Sequence, residues 1–141
     1  MTAFTMSELN IGQSASFSKT ITEKEVALFA EITGDVNPVH MDAAYAEKTI
    51  FKGRIAHGML CGSLLSTVFA MQMPGPGSIY LKQELKFTAP VRLGDTLTAT
   101  AVVKEKKEEK NIALFDCTVV NQDGVIVIEG QASLMPPKNK E

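Results

Sequence analysis

The chain has 141 residues, a formal net charge of -2 and 45% hydrophobic residues, which is the length of one domain with one core. The absence of any strongly basic stretch argues against a nucleic-acid partner. No apolar run reaches the length of a membrane span and the N-terminus lacks a charged-then-apolar leader pattern, so the expectation is a cytoplasmic protein whose two cysteines, Cys61 and Cys117, are buried free thiols.

Residues 1–13 read as a lead-in, and Ala15, Phe17 and Lys19 alternate with small polar residues, predicting a short first strand. Thr22 then caps a helix. Glu25, three residues later, completes a capping box, and Ile21 and Val26 occupy the staple positions. Val26, Phe29, Ala30 and Thr33 share one face, and Gly34 stops the helix. Pro38 restricts Asn37 to extended geometry, so residues 35–41 read as a loop. Asp42 caps a short helix over 43–48. A long helix over 57–73 follows. Its apolar residues spread around the whole circumference and it contains no Asp, Glu, Lys or Arg, the pattern of a helix buried on most sides. Pro74-Gly75-Pro76-Gly77 ends it.

The remainder reads as strands. Ile79, Leu81, Leu85 and Phe87 share one face and Tyr80, Lys82, Glu84 and Lys86 the other, with Gln83 a polar exception on the apolar side. Further strands are predicted over 97–104, 111–121 and 125–135. The sign-alternating run 104–110 reads as a solvated turn, residues 121–124 as a hairpin turn, and 136–141 as a frayed tail. One apolar helix preceding a run of antiparallel strands gives an α+β class: a single domain over 1–141 whose antiparallel curved sheet wraps around a central buried helix.

Two stretches could carry chemistry. Asp35 and His40 lie five residues apart in D-V-N-P-V-H, between a capped helix and a proline. A carboxylate and an imidazole are the parts needed for acid/base work, although Asp with Asn-Pro is also ordinary turn chemistry. Asp35, Asn37, His40 and Asp42 lack a known metal-ligand spacing, so no metal is expected. His57-Gly58 opens the apolar helix. Its free N–H groups could receive a developing oxyanion, with Gly58 leaving its own N–H sterically open; equally, His57 could be a cap and Gly58 a packing glycine. The sequence leaves both readings open. Ser66 either bonds back to its own helix or holds the Asp35 carboxylate. Gly62, Ser66 and Phe69 share a helix face, which makes Phe69 either the floor of a pocket or core filler; the expectation is the pocket floor.

D-V-N-P-V-H, Y-A-E-K-T-I-F and R-I-A-H-G-M-L resemble the hydratase-2 motif of (R)-specific enoyl-CoA hydratases, the MaoC-like group of hot-dog proteins. G-S-I-Y-L-K-Q-E-L-K-F-T-A-P-V-R-L-G-D-T-L resembles that group's second signature, and the nearest likeness is to the short hydratases that supply polyhydroxyalkanoate synthesis. The resemblance implies a single hot-dog domain. It also implies that Asp35 and His40 hold a water that adds to C3 of a trans-2-enoyl thioester and then supply the proton to C2. Asn37 would orient the loop, Gly58 would bind the thioester carbonyl, Ser66 would contact Asp35, and no cofactor is implied. Arg54, Lys82, Lys86 and Arg92 are candidates for CoA phosphates.

Three alternatives stand beside this reading. One is a (3R)-hydroxyacyl-acyl-carrier-protein dehydratase, and another a non-catalytic acyl-thioester-binding module. A hot-dog thioesterase is disfavoured because residues 57–73 contain no carboxylate. An open sheet edge leads to the expectation of a homodimer.

Overall fold

The first helix begins where its capping box predicts. The Thr22 N–H donates to Glu25 Oε2 at 2.9 Å and the Thr22 hydroxyl donates to the same oxygen. These bonds hold the Glu25 carboxyl below its ordinary pKa, the hydroxyl contributing most. Gly34 ends the helix in the left-handed conformation, φ 81°, where a side chain would be strained.

The computed structural model describes residues 2–139. The elements are β1 (Ser14–Thr20), α1 (Glu23–Thr33), α2 (Pro38–Met41), α3 (Ala43–Glu47), α4 (Gly58–Met71), β2 (Ile79–Phe87), β3 (Thr96–Lys107), β4 (Ile112–Val120) and β5 (Ile126–Met135). The strands form one antiparallel sheet in the order β1-β3-β4-β5-β2, with β1 and β2 at its edges.

The sheet wraps α4 as expected. On β3, Leu97, Ala99, Ala101 and Val103 are buried, and on β4 Ala113, Phe115, Cys117 and Val119; the residues between them are more exposed. This period of two puts one face of each strand on the helix. Cys61, Leu64, Leu65, Val68 and Phe69 of α4 complete the core, each large side chain stabilising it by roughly 1.5–3 kcal/mol. Four buried alanines of the sheet, Ala99, Ala101, Ala113 and Ala132, belong to the same core. Among the described residues no helix is long and apolar enough to cross a membrane.

α4 is buried on most sides, as expected; Met59, 60% exposed, with Ser63, Ser66 and Ala70, forms an uncharged open stripe. The structure corrects four expectations. The period-two pattern of β2 breaks at a register shift between Tyr80 and Lys82, and Ile79, Tyr80, Leu81 and Phe87 are all exposed on this edge strand. Residues 38–41 are a turn of helix, not loop, because proline restrains the residue before it yet fits the first helical position; Asn37 Oδ1 caps it, accepting from Val39 N. Residues 104–107 belong to β3, so the turn is only Glu108–Lys110, closed by Asn111 at φ 54°. Finally, fraying does not begin at 136. Pro136 and Pro137 are buried, and Asn111 Nδ2 donates to the Pro136 carbonyl at 2.9 Å. Residues 140–141 of the expected tail lie outside the described residues.

Candidate active site

The turn after α1 shapes the carboxylate. Asp35 N–H donates to Thr33 Oγ1 at 3.2 Å, and Asp35 Oδ1 accepts from Asn37 N–H at 3.3 Å. Asn37 Oδ1 accepts in turn from Val39 N–H at 3.2 Å. Two successive Asx turns therefore fix the approach to α2, which presents His40. His40 is only 9% exposed. Its Nδ1 lies 2.7 Å from the Ile55 carbonyl. A carbonyl can only accept, so Nδ1 carries the proton and Nε2 offers a lone pair. Arg54 braces this arrangement: Nε donates to the His40 carbonyl at 2.6 Å, and Nη1 pairs with Glu23 Oε2 at 2.5 Å.

His57 joins the pair from the lead-in to α4. It is 2% exposed, and its Nε2 lies 2.9 Å from the Asp35 backbone carbonyl, so Nε2 is the donor. Its ring sits 4.0 Å from the His40 ring and 4.8 Å from the Phe29 ring. A carboxylate oxygen of Asp35 and one nitrogen from each histidine lie within 4.8 Å of one another. A water making two ordinary hydrogen bonds spans such a gap.

A cavity of ≈ 420 Å³ opens beside the pair. His40 and Gly58 form part of its wall, and the rest is largely apolar, including Phe51, Cys61, Phe87, Val91 and Ile128. Gly58 is the first residue of α4, and the His57 side chain does not cap that helix. The Gly58 N–H therefore has no partner within the helix, and the helix dipole favours negative charge there. A Cβ on Gly58 would lie 2.7 Å from Phe87 Cε1, so a ring packs over the bare glycine. Burial pushes the Cys61 thiol up to about 12, making it an apolar lining group rather than a nucleophile.

Residues 7–124 match the MaoC like domain family. The chain belongs to that family. It is 49% identical over 132 residues to an (R)-specific enoyl-CoA hydratase of Rhodospirillum rubrum, covering 92% of this chain and 90% of the relative. It superposes on the unliganded R-hydratase PhaJ1 of Pseudomonas aeruginosa with TM-score 0.92 and 48% identity, covering 97% of this chain and 88% of that one. The (R)-hydratase of Aeromonas caviae, described as involved in PHA biosynthesis, aligns with TM-score 0.89 and 43% identity, covering 92% and 98%. The architecture is the hot-dog fold these hydratases share.

In this MaoC-like chain the expected site residues divide. Asp35, Asn37, His40 and Gly58 are brought together. Ser66 is not: it is exposed, with no hydrogen bond to Asp35 among the described residues, and eight residues along α4 from Gly58 carry it about 12 Å from the helix start. Gly62 and Ser66 instead line a second hollow of ≈ 320 Å³ against β2, with Met59, Ser63, Leu81 and Leu85. A Cβ on Gly62 would meet Leu85 Cδ1 at 2.9 Å, so this glycine admits close packing with the edge strand. Phe69 is not in the lining of either hollow. It is 1% exposed and packs edge-on against Tyr80 and Phe115, as a core residue does.

Of the cations expected to meet CoA, Arg54 is occupied by Glu23 and the His40 carbonyl, and Lys82 pairs with Glu84 at 3.3 Å. Lys86 and Arg92 are exposed, although Arg92 Nη1 also donates to the Gly53 carbonyl at 3.4 Å. Asp35, His40 and His57 together offer three atoms of the kind that bind divalent metals, with one nitrogen of each ring already engaged by a carbonyl. The residue that sequence reasoning passed over is His57. Its position before Gly58 was visible, but neither of the two readings left open there contained its bond to a residue 22 positions earlier.

Proposed function

We propose that the chain adds water reversibly to trans-2-enoyl-CoA, giving (R)-3-hydroxyacyl-CoA. The observation that carries this is the convergence of the Asp35 carboxylate and the His40 ring, at water-bridging separation, beside a cavity whose wall includes His40 and the start of α4. The geometry supports a division of labour. The His40 Nε2 lone pair and the Asp35 carboxylate hold one water between them. As its oxygen bonds to C3, one proton leaves to the pair and the C2=C3 electrons move toward the thioester carbonyl. The Gly58 N–H meets the oxygen on which that charge develops. The pair then returns a proton to C2, so one water has been added and none of its atoms is left over. Asn37 holds the loop. The (R) configuration rests on the named relatives.

A cavity of ≈ 420 Å³ bounded by Cys61, Val127 and Ile128 fits a short acyl chain. Exposed Met59, Leu81 and Phe87 beside an open edge strand support a homodimer that covers them. Two unpaired buried thiols support a cytoplasmic setting.

The test is hydration of crotonyl-CoA, followed by loss of the enoyl absorbance, with the crotonyl carrier-protein thioester measured beside it. Turnover of the CoA ester with an (R)-3-hydroxybutyryl product is expected. Binding without turnover would make the chain a thioester-binding module, and turnover confined to the carrier protein would make it a fatty-acid dehydratase.

A further inference from the structure

We infer that His57 is a positioning residue that joins the Asp35–His40 pair to the Gly58 N–H; this rests on the hydratase reading above. His57 is not part of the cavity lining and so acts through its neighbours. Three contacts define what it does. Its Nε2–H holds the Asp35 carbonyl at 2.9 Å, and its ring lies 4.0 Å from that of His40, inclined by 32°. Its backbone is bonded directly to Gly58. The carboxylate, the imidazole and the proposed oxyanion donor thus all take their positions from one residue, the first two from its side chain and the third from its backbone.

The loop needs such a tie. Residues 34–38 are all exposed. Among the described residues, the His57 bond is the only hydrogen bond from 34–37 to α4 or the segment leading into it.

A space-filling role does not account for the choice of residue. His57 Nδ1 is buried with no hydrogen-bond partner among the described residues, which costs stability. A ring that only filled the core would do better as phenylalanine, which has no such atom. Phenylalanine cannot supply the Nε2–H. Retaining a histidine despite an unpartnered nitrogen points to that donor as the reason.

The experiment separates packing from positioning. His57→Phe keeps a ring and loses the donor. His57→Gln loses the ring but places an amide N–H near the Nε2 position. Positioning predicts that His57→Phe melts no lower than wild type yet loses roughly 10- to 100-fold in kcat, with KM within about threefold, because a displacement on the order of 1 Å can cost 10²-fold. His57→Gln should recover kcat to within about fivefold even if it melts lower. Wild-type kcat in His57→Phe, or kcat that merely follows melting temperature across the variants, overturns the inference.

A second measurement needs neither activity nor a folded variant. Long-range ¹H–¹⁵N spectra of the wild-type protein should show His57 with its proton on Nε2; a proton on Nδ1 alone removes the donor and sinks the proposal. Where the variants fold, the Asp35 and Gly58 amide resonances should move in His57→Phe and return toward wild type in His57→Gln. If the wild-type protein does not hydrate enoyl-CoA, the functional reading fails, while these spectra still decide whether His57 sets the loop.

Discussion

The two sides of α4's first turns are built on opposite principles. On one side Gly58 and Cys61 face a cavity whose wall includes His40 of α2, with Asp35 of the 34–37 loop beside that ring, each polar group held by a named hydrogen bond. On the other, Met59, Gly62, Ser63 and Ser66 face β2 across a hollow whose exposed side chains are mostly apolar or small. Preorganised donors and acceptors are what a developing charge requires. An uncharged stripe beside an open sheet edge is what an unoccupied protein interface looks like. On the proposed function a single uncharged helix serves the reaction on one side and the proposed association on the other, and substitutions should separate the two.

The largest effect is expected from the reacting pair. Asp35→Ala and His40→Ala should each lower kcat by roughly 10²–10⁴-fold, the range for acid/base groups. If both hold the same water, as proposed, the double variant should be little slower than the worse single one. Multiplying losses in single-turnover assays would mean that they act in separate steps.

Much of this was legible in the sequence. Capping at Thr22, the stop at Gly34 and the strand pattern of 97–104 are local signals, and they survived intact. Asp35, Asn37 and His40 were also legible, because a short turn leading into a proline-started helix keeps near neighbours near. What the sequence could not show was distance across the fold. His57 meets Asp35 from 22 positions away, and Ser66 is carried off by the helical rise. The missing charges on 57–73 were read as burial on most sides, which holds, but they did not say which side stays open as an uncharged stripe.

Phe69 tests whether the core behind the site is distinct from the site. Its ring packs against Tyr80 and Phe115 rather than lining the cavity. Phe69→Ala should therefore lower stability by roughly 3–5 kcal/mol. It should leave the ratio of kcat/KM for crotonyl-CoA to octenoyl-CoA unchanged. Urea unfolding at fixed protein concentration checks the first outcome, since association would otherwise shift the midpoint. A shift toward the longer chain would restore Phe69 as a pocket floor.

A smaller effect is expected on the β2 side. Leu81 sits at the register shift and is exposed. Leu81→Lys puts a charge into the apolar stripe, and should weaken the proposed dimer at least ~10-fold, about 1.4 kcal/mol. Sedimentation velocity over a dilution series reads this directly. A wild-type protein already monomeric at micromolar concentration would remove the dimer and the stripe's assigned purpose with it.

The finest contrast lies between the two glycines. At both positions an added methyl would crowd a side-chain tip: Phe87 Cε1 at 2.7 Å from position 58, and Leu85 Cδ1 at 2.9 Å from position 62. Neither obstacle is backbone, so both variants should fold. The consequences differ because the obstacles differ. Phe87 is 51% exposed and lines the cavity, so Gly58→Ala displaces a ring in the proposed thioester site. Its N–H remains in place, so the loss should be smaller than removal of an oxyanion donor: roughly tenfold in kcat/KM. Gly62→Ala displaces a leucine on the other side of the helix. Alanine gains up to ~1 kcal/mol over glycine inside a helix, and moving Leu85 offsets part of that. Stability should change by less than about 1 kcal/mol and turnover hardly at all. Equal kinetic losses at 58 and 62 would mean that the two sides of α4 are one site, and the division between reaction and association would fall.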